Sequence, residues 1–291
     1  MIVSRLKPFV PNVIKLLVNK SIYYAKRGFC LLTADFRTLP NCIIVGTQKA
    51  GTTSLYGYLK QHPSVLTSMK KEVHYFDLNY HKGERWYRSF FPLDRTTNKG
   101  CVTLEASPFY LMHPHAAKRI HHLLPRAKII VILRNPVDRA ISHYYHEVKY
   151  KRETLSINEA MQAEKERTGI EWQKIVDDES CREFKSFESL YFLYTRRGIY
   201  KEQLERYFQL FKREQVLILD FDNMCTHPDD TLKKTFEFLG LDPTAASIDC
   251  SPKNVNPMRK HVPSDVRQDL ENFFSPYNEK LYKYLGRKFN W

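Results

Sequence analysis

A glycine-bearing turn between an apolar run and a helical pattern is the first feature of the sequence with a chemical use. Residues 41–45 are mostly apolar, residues 46–53 read Gly-Thr-Gln-Lys-Ala-Gly-Thr-Thr, and residues 54–59 begin a helical pattern. This order predicts a strand, a turn and a helix. Because free backbone N–H groups and the helix dipole favour an anion at such a turn, the spacing predicts a phosphate-binding loop.

The cation of this loop is displaced from the common nucleotide-binding pattern G-x-x-x-x-G-K-[ST]. Gly46, Gly51 and Thr53 match that pattern, but Thr52 stands where its lysine is expected, and the lysine lies earlier, at Lys49. Hydroxyl donors continue from the loop into the helix at Thr52, Thr53 and Ser54. The loop can still bind a phosphate, with the cation approaching from a different place. A tight strand–helix turn without a ligand is the alternative that a lone glycine turn leaves open.

A second candidate for phosphate binding lies in residues 131–144, which read Val-Ile-Leu-Arg-Asn-Pro-Val-Asp-Arg-Ala-Ile-Ser-His-Tyr. The apolar run 128–133 is typical of a strand in a parallel sheet, and a helical pattern follows after Asn-Pro. Arg134 offers a guanidinium fork that suits a phosphate. Ser142 lies about two helical turns further on, so its hydroxyl could meet the same phosphate. Alternatively, Arg134 is a surface residue at a strand end.

Together, the two blocks resemble the cofactor loops of sulfotransferases that use 3′-phosphoadenosine 5′-phosphosulfate (PAPS). The first is similar to the loop for the 5′-phosphosulfate, and the second is similar to the element for the 3′-phosphate. The resemblance implies that Lys49 neutralises charge on the bridging oxygen of the phosphosulfate. The cofactor-binding residues that it implies are Lys49, Ala50, Gly51, Thr52, Thr53, Ser54, Arg134, Ser142, Tyr200, Arg259 and Lys260.

A third segment, residues 70–77, reads Lys-Lys-Glu-Val-His-Tyr-Phe-Asp and resembles the K-E-x-x-F-F-D segment of the heparan sulfate branch of that family. In that branch the glutamate is the general base, which implies that Glu72 takes the acceptor proton. His74 either takes part in catalysis, by assisting the reaction or by orienting the acceptor, or it lines the pocket wall, and the sequence leaves both interpretations open. Residues 276–291 are similar to the C-terminus of the same branch, so the resemblance runs from about residue 40 to the end of the chain.

Two departures from the glycan-acting enzymes concern the acceptor and the late cofactor loop. Those enzymes commonly carry Glu-Lys-Thr/Ser-Pro, whereas residues 105–108 read Glu-Ala-Ser-Pro, with Ala106 in the place of the lysine. The family's late Lys-Gly-Arg loop and its flanking disulfide are not plainly present, so Arg259 and Lys260 are carried over from the neighbourhood of that loop. We therefore expect an acceptor that is less anionic than heparan sulfate.

The elements that must position these residues alternate between strands and helices. Apolar runs predict further strands at 102–105, 128–133 and 216–220, and helical patterns cover 114–124, 137–149, 187–196, 200–212, 228–239 and 263–285. Such alternation predicts the α/β class, with a single P-loop-type domain whose central parallel sheet is flanked by helices. We assign residues 1–40 to an N-terminal extension and residues 41–291 to a sulfotransferase domain. Within that domain, residues 152–186 are predicted to form a helical insertion or a lid.

The composition favours an anionic partner. The 46 Lys and Arg residues exceed the 32 Asp and Glu residues, for a net charge of +14, which suits a nucleotide, an acidic glycan, nucleic acid or a membrane surface. We expect no nucleic-acid partner, because no known reading module is apparent. The six cysteines form no C-x-x-C pair, which disfavours a zinc site, and their scatter is typical of a reducing compartment.

The N-terminal region bears on location. No stretch approaches the roughly 18 apolar residues of a membrane span, and the first residues lack the continuous apolar core of a signal peptide. We therefore expect a cytoplasmic protein. We also expect the protein to be either a monomer or a homodimer. Residues 9–32 mix apolar, aromatic and basic residues. They could form an amphipathic helix that contacts a membrane, but a helix packed on the domain is the interpretation that we favour.

The leading hypothesis is an enzyme that moves a sulfuryl group from PAPS to an acceptor hydroxyl or amine by in-line displacement. Glu72 would act as the base, and adenosine 3′,5′-bisphosphate would be the product. We expect a small-metabolite acceptor and no metal ion, since no Asp/His cluster has ligand spacing. The alternative is a glycan sulfotransferase of the heparan type. A P-loop phosphotransferase is disfavoured by Thr52 and by the lack of a clear strand-end aspartate for Mg²⁺.

Overall fold

A parallel sheet of five strands lies at the centre of the computed structural model, which describes residues 12–94, 100–177, 179, 191–251 and 262–291. The strands are β1 (Cys42–Gly46), β2 (Val65–Thr67), β3 (Val102–Ala106), β4 (Lys128–Leu133) and β5 (Val216–Asp220). Their spatial order is β2-β3-β1-β4-β5, and every neighbouring pair is parallel. The predicted α/β class with a central parallel sheet is confirmed.

Helices connect the strands and cover both faces of the sheet. They are α1 (Asn12–Leu32), α2 (Thr52–Leu59), α3 (Gly83–Arg88), α4 (Ala116–Leu123), α5 (Pro136–Lys149), α6 (Ile157–Asp177), α7 (Tyr200–Phe208), α8 (Phe221–Thr226), α9 (Pro228–Leu239) and α10 (Ser264–Leu285). Such crossovers are required because each parallel strand must start from the same end of the sheet as its neighbour.

Two apolar cores lie on opposite faces of the sheet, because successive side chains of a strand point to opposite sides. Ile43 and Val45 of β1 belong to one core, together with side chains of α4 and α7. Cys42 and Ile44 belong to the other core, together with side chains of α2 and α9. All four side chains are fully buried. Burial on both faces explains why β1 reads as an unbroken apolar run rather than an alternating one.

The strand order creates a crevice at the carboxyl edge of the sheet. β1 lies in the middle, with β3 on one side and β4 on the other. The segments that follow these three strands emerge at one edge, because the carboxyl ends of parallel strands share it. In open α/β sheets, ligands bind in the crevice where the strand order reverses. The predicted phosphate loop and Arg134 both lie at this edge.

The turn from β4 into α5 forms as the sequence predicts. β4 ends at Leu133, and Pro136 occupies the first position of α5, where a missing N–H costs nothing. The Asn135 side-chain oxygen accepts hydrogen bonds from the backbone N–H groups of Val137 at 2.9 Å and Asp138 at 3.4 Å. This N-cap satisfies two donors that the helix itself cannot pair.

The helix predicted at 187–196 is described only in its second half, where residue 191 is helical and the chain then leaves the helix. Residues 180–190 lie outside the described residues, and residues 192–195 are not helical. The backbone N–H groups of Thr195 and Arg196 donate instead to the Glu164 carboxylate of α6, at 2.6 and 3.0 Å. That buried carboxylate therefore replaces the helical partners of the two N–H groups. The predicted helix at 200–212 is α7, which ends at residue 208.

Among residues 21–32 of α1, contacts with the domain lie near the end of the helix. Arg27 donates to the carbonyl oxygen of Ser89 at 3.0 Å, and Cys30 is buried, whereas residues 21–26 are exposed. Just beyond the helix, Arg37 donates to the carbonyl oxygen of Phe91 at 2.6 Å. In the part of the chain that the structure describes, no helix is both long and apolar enough to cross a membrane. The division between extension and domain at residue 40 stays a prediction.

Gly51 is expected to be required for the loop to pack against α8. Its φ of 78° is in the left-handed region, and a Cβ there would overlap Met224 Cε and lie 3.1 Å from the Phe221 ring. Gly51→Ala should lower the free energy of unfolding by about 2–4 kcal/mol, the sum of backbone strain and overpacking. Urea unfolding followed by circular dichroism measures this loss.

Gly240, which follows α9, provides the matched control, because it is left-handed like Gly51, with φ 75° and ψ 30°, but a Cβ there would have no neighbour within 4 Å. Gly240→Ala should cost only the strain, about 1–2 kcal/mol. Equal losses for the two variants would show that packing against Met224 contributes nothing.

Candidate active site

Arg134 anchors the phosphate-binding loop to the end of β4. Its Nη1 donates a hydrogen bond to the carbonyl oxygen of Lys49 at 2.7 Å, and its guanidinium carbon lies 4.4 Å from the centre of the Phe221 ring. The residue is 5% exposed, and its Nε has no hydrogen-bond partner among the described residues. A buried guanidinium with an unused donor suits an anion, so Arg134 fits the predicted phosphate contact.

Tyr200 of α7 supports Arg134 from the backbone side. Its hydroxyl donates to the carbonyl oxygen of Arg134 at 2.7 Å, and its ring is buried. Burial raises the pKa of Tyr200 above its ordinary value, which keeps the hydroxyl protonated and able to donate. The structure thus gives Tyr200 a contact with Arg134 itself.

The predicted hydroxyl donors lie in two helices at this sheet edge. Thr52, Thr53 and Ser54 form the first turn of α2, where backbone N–H groups have no partner within the helix. Ser142 lies in the second turn of α5 and is buried, as is Ala50 in the loop. The arrangement suits a phosphate group, and contact of these residues with a nucleotide stays a prediction.

Lys49 points toward His146 of α5, a residue that sequence reasoning missed. The Lys49 Nζ lies 3.2 Å from the His146 Nδ1. Burial lowers the pKa of His146, and the charge of Lys49 lowers it further, to about 4, so the ring is neutral near pH 7 and can accept from the ammonium. His146 follows Ser142 by four residues and therefore shares its face of α5. That spacing is the sequence signal that identifies it.

The segment 70–77 forms a chain of charged contacts. Lys71 Nζ lies 2.6 Å from Glu72 Oε1, and His74 Nε2 lies 3.5 Å from Glu72 Oε2. His74 Nδ1 lies 2.8 Å from Asp77 Oδ2, and Asp77 is fully buried. The negative charge of Glu72 also raises the pKa of His146. Charges from two separate segments, Glu72 and Lys49 of the phosphate loop, therefore both shift the pKa of His146.

These contacts determine which groups are charged. Burial by itself raises the pKa of Glu72, but the hydrogen bond from His74 and the charge of Lys71 outweigh it and lower the pKa to about 2. Burial by itself lowers the pKa of His74, but Asp77 and Glu72 outweigh it and raise the pKa to about 10. At neutral pH the site therefore contains the Glu72 carboxylate beside the His74 imidazolium.

Backbone strain marks the same three residues. Lys49, Glu72 and His74 have φ values of 70°, 61° and 56°, in the left-handed region that side chains with a Cβ rarely adopt. Among the described residues, Lys151 is the one other non-glycine residue with a positive φ. Strain of this kind concentrates at functional sites, where the surrounding structure holds it in place. This observation is independent of the sequence resemblance that selected the three residues.

A buried carboxyl on β3 holds the strained segment in place. Glu105 accepts hydrogen bonds from the hydroxyls of Tyr87 at 2.6 Å, Ser107 at 2.7 Å and Tyr110 at 2.9 Å. Ser107 Oγ also accepts from the backbone N–H of His74 at 3.2 Å. Burial raises the pKa of Glu105 to about 7, although the three hydroxyls act to lower it. The network links the β3 end to the backbone beside Glu72.

The remaining predicted positions are described in part. Ala106 is fully buried, and its carbonyl oxygen accepts from the Glu72 N–H at 3.0 Å. Arg197, which precedes α7, donates to the side-chain oxygen of Gln48 and brings a further buried cation to the loop. Arg259 and Lys260 lie outside the described residues. Within the described ranges, no group of three or more His, Cys, Asp and Glu residues could hold a metal ion.

Comparison with known proteins identifies the family. The family model described as "Sulfotransferase domain" matches residues 39–278, and the chain therefore belongs to the sulfotransferase family. The resemblance seen in the sequence is confirmed, and the protein is an enzyme of the PAPS-dependent class. A sulfotransferase from Alicyclobacillus acidocaldarius has a similar crystal structure, with a TM-score of 0.69 and 31% identity, over 87% of this chain and 98% of that one.

Two curated relatives are more distant in sequence. Membrane-associated sulfotransferase kil1 of Dictyostelium discoideum is 28% identical over 318 residues, which covers 87% of this chain and 66% of that protein. Heparan sulfate glucosamine 3-O-sulfotransferase 5 of Mus musculus is 29% identical over 276 residues, which covers 87% of this chain and 74% of that protein. The chain thus spans between 66% and 74% of the length of these two relatives.

The buried Glu105 is expected to make stability depend on pH. Its carboxyl holds a proton up to about pH 7 in the folded state, whereas in the unfolded chain it loses the proton near its ordinary pKa of about 4.3. The folded state therefore binds more protons between these values, and the free energy of unfolding should fall as the pH rises through this window. The loss over the whole window should be on the order of 3–4 kcal/mol.

Glu105→Gln isolates this effect, because an amide keeps an acceptor for Ser107 and Tyr110 and offers a donor to the Tyr87 hydroxyl. Urea unfolding of both proteins at pH 5, 6, 7 and 8 gives the two slopes. The variant should lose less stability than the original protein across the series. Parallel pH curves would show that Glu105 does not titrate in this window.

Proposed function

We propose that the carboxyl edge of the sheet transfers a sulfuryl group from PAPS to an acceptor hydroxyl or amine, with Glu72 as the general base. The observation that carries the proposal is that Lys49, Glu72 and His74 all have strained backbone and that the charges of Lys49 and Glu72 both shift the pKa of His146. A cation from the phosphate loop and a carboxylate from a separate segment thereby share one neighbourhood. Transfer of an anionic group to a nucleophile needs this combination.

The nucleotide would lie along the loop that follows β1 and the start of α5. Residues 49–54 would bind the 5′-phosphosulfate with backbone N–H groups and hydroxyls, as a helix N-terminus favours. Arg134 and Ser142 would bind the 3′-phosphate, and the unused Nε of the buried Arg134 supports this role. Tyr200 would hold Arg134 through its carbonyl. Arg259 and Lys260 would add charge from the late loop.

In the chemical step, an acceptor oxygen or nitrogen bonds to sulfur while the bond from sulfur to the phosphate oxygen breaks. The electron pair of that bond leaves on the phosphate, which gives adenosine 3′,5′-bisphosphate. The acceptor proton passes to the Glu72 carboxylate, which is ionised because its pKa is about 2. Lys49 would neutralise the charge that develops on the departing oxygen. In this proposal Glu72 takes the proton that is released, and Lys49 neutralises the negative charge of the leaving group.

His74 would act mainly by holding Glu72. Its raised pKa of about 10 makes it a donor on both ring nitrogens, toward Asp77 on one side and Glu72 on the other. A protonated His74 is unsuited to serve as the base itself. Of the two roles left open by the sequence, orientation of the reacting groups is therefore the one that we propose.

We propose a small or weakly charged acceptor, because the glycan-acting enzymes carry a lysine where this chain has the buried Ala106. A glucosamine-containing glycan is the second candidate, favoured by the name of the mouse relative, which is a heparan sulfate glucosamine 3-O-sulfotransferase.

A cytoplasmic location and a monomeric or homodimeric state remain proposals, and the Dictyostelium relative is named as membrane-associated.

The test is transfer of radiolabelled sulfate from PAPS to a panel of alcohols, phenols, amines and heparan-type oligosaccharides, with and without EDTA. We expect transfer to a small or weakly charged compound, and turnover that persists in EDTA because Lys49 and the helix N-terminus supply the positive charge. Transfer only to sulfated oligosaccharides would replace the small acceptor with the glycan. Activity that EDTA abolishes and Mg²⁺ restores would favour phosphotransfer.

The same assay tests Glu72. Glu72→Gln should reduce kcat by about 10²–10⁴-fold, because the amide cannot take the acceptor proton, while the affinity for adenosine 3′,5′-bisphosphate should stay nearly unchanged. Glu84→Gln is the control, since Glu84 pairs with Arg88 on the surface at 2.5 Å and should leave kcat unaltered. A near-normal kcat in the Glu72 variant would remove this residue from the mechanism.

Arg134→Ala tests the nucleotide assignment. It should weaken binding of adenosine 3′,5′-bisphosphate by about 2–3 kcal/mol, because a charge-assisted contact is lost, and it should have little effect on adenosine 5′-monophosphate. Isothermal titration calorimetry measures both affinities. Arg213→Ala is the control, because Arg213 also lies over a phenyl ring, 4.5 Å from the centre of Phe208, but away from the loop. Equal losses for the two nucleotides would instead mean that Arg134 only supports the Lys49 loop.

A further inference from the structure

The second half of α1 carries an apolar stripe on its solvent side. Ile22, Ala25, Phe29 and Leu32 are separated by three or four residues, which places them along one face of the helix. We call these four residues the exposed stripe. Ile22 is 54%, Phe29 58% and Leu32 79% exposed. The helical pattern therefore turns its largest apolar side chains toward solvent.

The opposite side of the helix is the one that contacts the domain. Arg27 donates to the carbonyl oxygen of Ser89 at 3.0 Å, and its guanidinium carbon lies 3.8 Å from the centre of the Phe90 ring. Cys30 is buried, with its sulfur 3.6 Å from that of Met69. Because the domain covers this other side, folding of the described residues leaves the exposed stripe without a cover.

Further aromatic side chains are exposed on other sides of α1 and just beyond it. Tyr23 and Tyr24 are 50% and 60% exposed, with their rings in edge-to-face contact at 5.7 Å. Phe36 lies just after the helix and is 72% exposed. Tyrosine has an apolar ring and a polar hydroxyl, so it suits a boundary between water and an apolar phase.

The charge of this region has one sign. Residues 1–34 contain six basic residues and no acidic one, the first acidic residue of the chain being Asp35. The basic residues are Arg5, Lys7, Lys15, Lys20, Lys26 and Arg27. A partner that covers the exposed stripe must therefore be apolar where it meets the stripe and negative beside it.

A second copy of this chain does not meet both requirements. Two α1 helices packed through the exposed stripe would bring lysines against lysines in either orientation, because every charged residue from 12 to 32 is basic. Like charges in contact are destabilising. The acyl boundary of a bilayer accepts the stripe, and anionic headgroups attract the lysines.

We propose that α1 binds the surface of an anionic phospholipid bilayer, with the exposed stripe in the acyl boundary and the exposed Lys26, one helical turn after Ile22, at the headgroups. The proposal is independent of sulfuryl transfer, because it rests on α1 alone. It takes up the alternative that we did not favour from the sequence, in which an amphipathic helix within residues 9–32 contacts a membrane, and it is compatible with the domain contacts of Arg27 and Cys30. The enzyme would thereby be held beside a membrane.

The test is cosedimentation of the full chain with phosphatidylcholine vesicles that either contain or lack phosphatidylserine. The protein should pellet with the anionic vesicles, and added salt should weaken this binding. The double variant Ile22→Ser with Phe29→Ser should bind the anionic vesicles about 10-fold or more weakly, because it removes apolar area without changing charge. Lys26→Gln should also weaken binding.

Ile170→Ser with Phe273→Ser is the matched control, since these side chains are 73% and 40% exposed on α6 and α10 and should not affect vesicle binding. Thermal unfolding establishes that each variant folds. No binding by the original protein, equal binding to both kinds of vesicle, or equal loss in the control variant would overturn the proposal. A dimer that the stripe variant converts to a monomer, seen by light scattering without vesicle binding, would instead assign the stripe to a second copy.

Discussion

The hydrogen bond from Arg134 to the Lys49 carbonyl is the contact on which the arrangement of the site depends. It joins the loop after β1 to the end of β4, and Tyr200 holds the other side of Arg134 through its carbonyl. With its backbone held there, Lys49 directs its ammonium toward His146 of α5. Two neighbouring strands and two helices thereby set the position of one cation. A parallel sheet makes this possible because it delivers both strand ends to the same edge.

The second half of the site is held by burial rather than by regular structure. Glu72 and His74 lie in a segment without a helix or strand, and their strained backbone is secured by the Ala106 carbonyl and the Ser107 hydroxyl. Ser107 in turn donates to the buried Glu105. A buried carboxyl is stabilised only when its oxygens are hydrogen-bonded. The same Ser107 hydroxyl that meets this need of Glu105 also accepts from the backbone N–H of His74, so the burial of Glu105 helps to position the segment that contains Glu72.

The excess of basic residues serves two different regions of the molecule. At the sheet edge, Arg134 and Arg197 are buried, where each cation acts strongly because water is largely excluded. Burial lowers the pKa of Arg197 to about 9, and the nearby charge of Arg139 contributes, as expected of cations gathered to meet an anion. On α1 the basic residues are accompanied by exposed apolar side chains instead. One composition therefore suits both the proposed nucleotide site and the proposed surface for anionic lipid.

The sequence by itself determined the elements whose signals are local. The run before Gly46 and the Asn135-Pro136 boundary predicted β1, the loop, β4 and α5, because apolar periodicity and capping depend on neighbouring residues. Loop spacing and a strand-end position pointed to Lys49 and Arg134 as phosphate contacts, whereas Glu72 came from family resemblance, and the roles of all three stay predictions. Only the tertiary structure decided that His146 meets Lys49 across 97 residues, that Glu164 replaces helical partners at 195–196, and which side of α1 faces solvent. Those outcomes depend on contacts between distant segments, and a one-dimensional pattern does not record which segments meet.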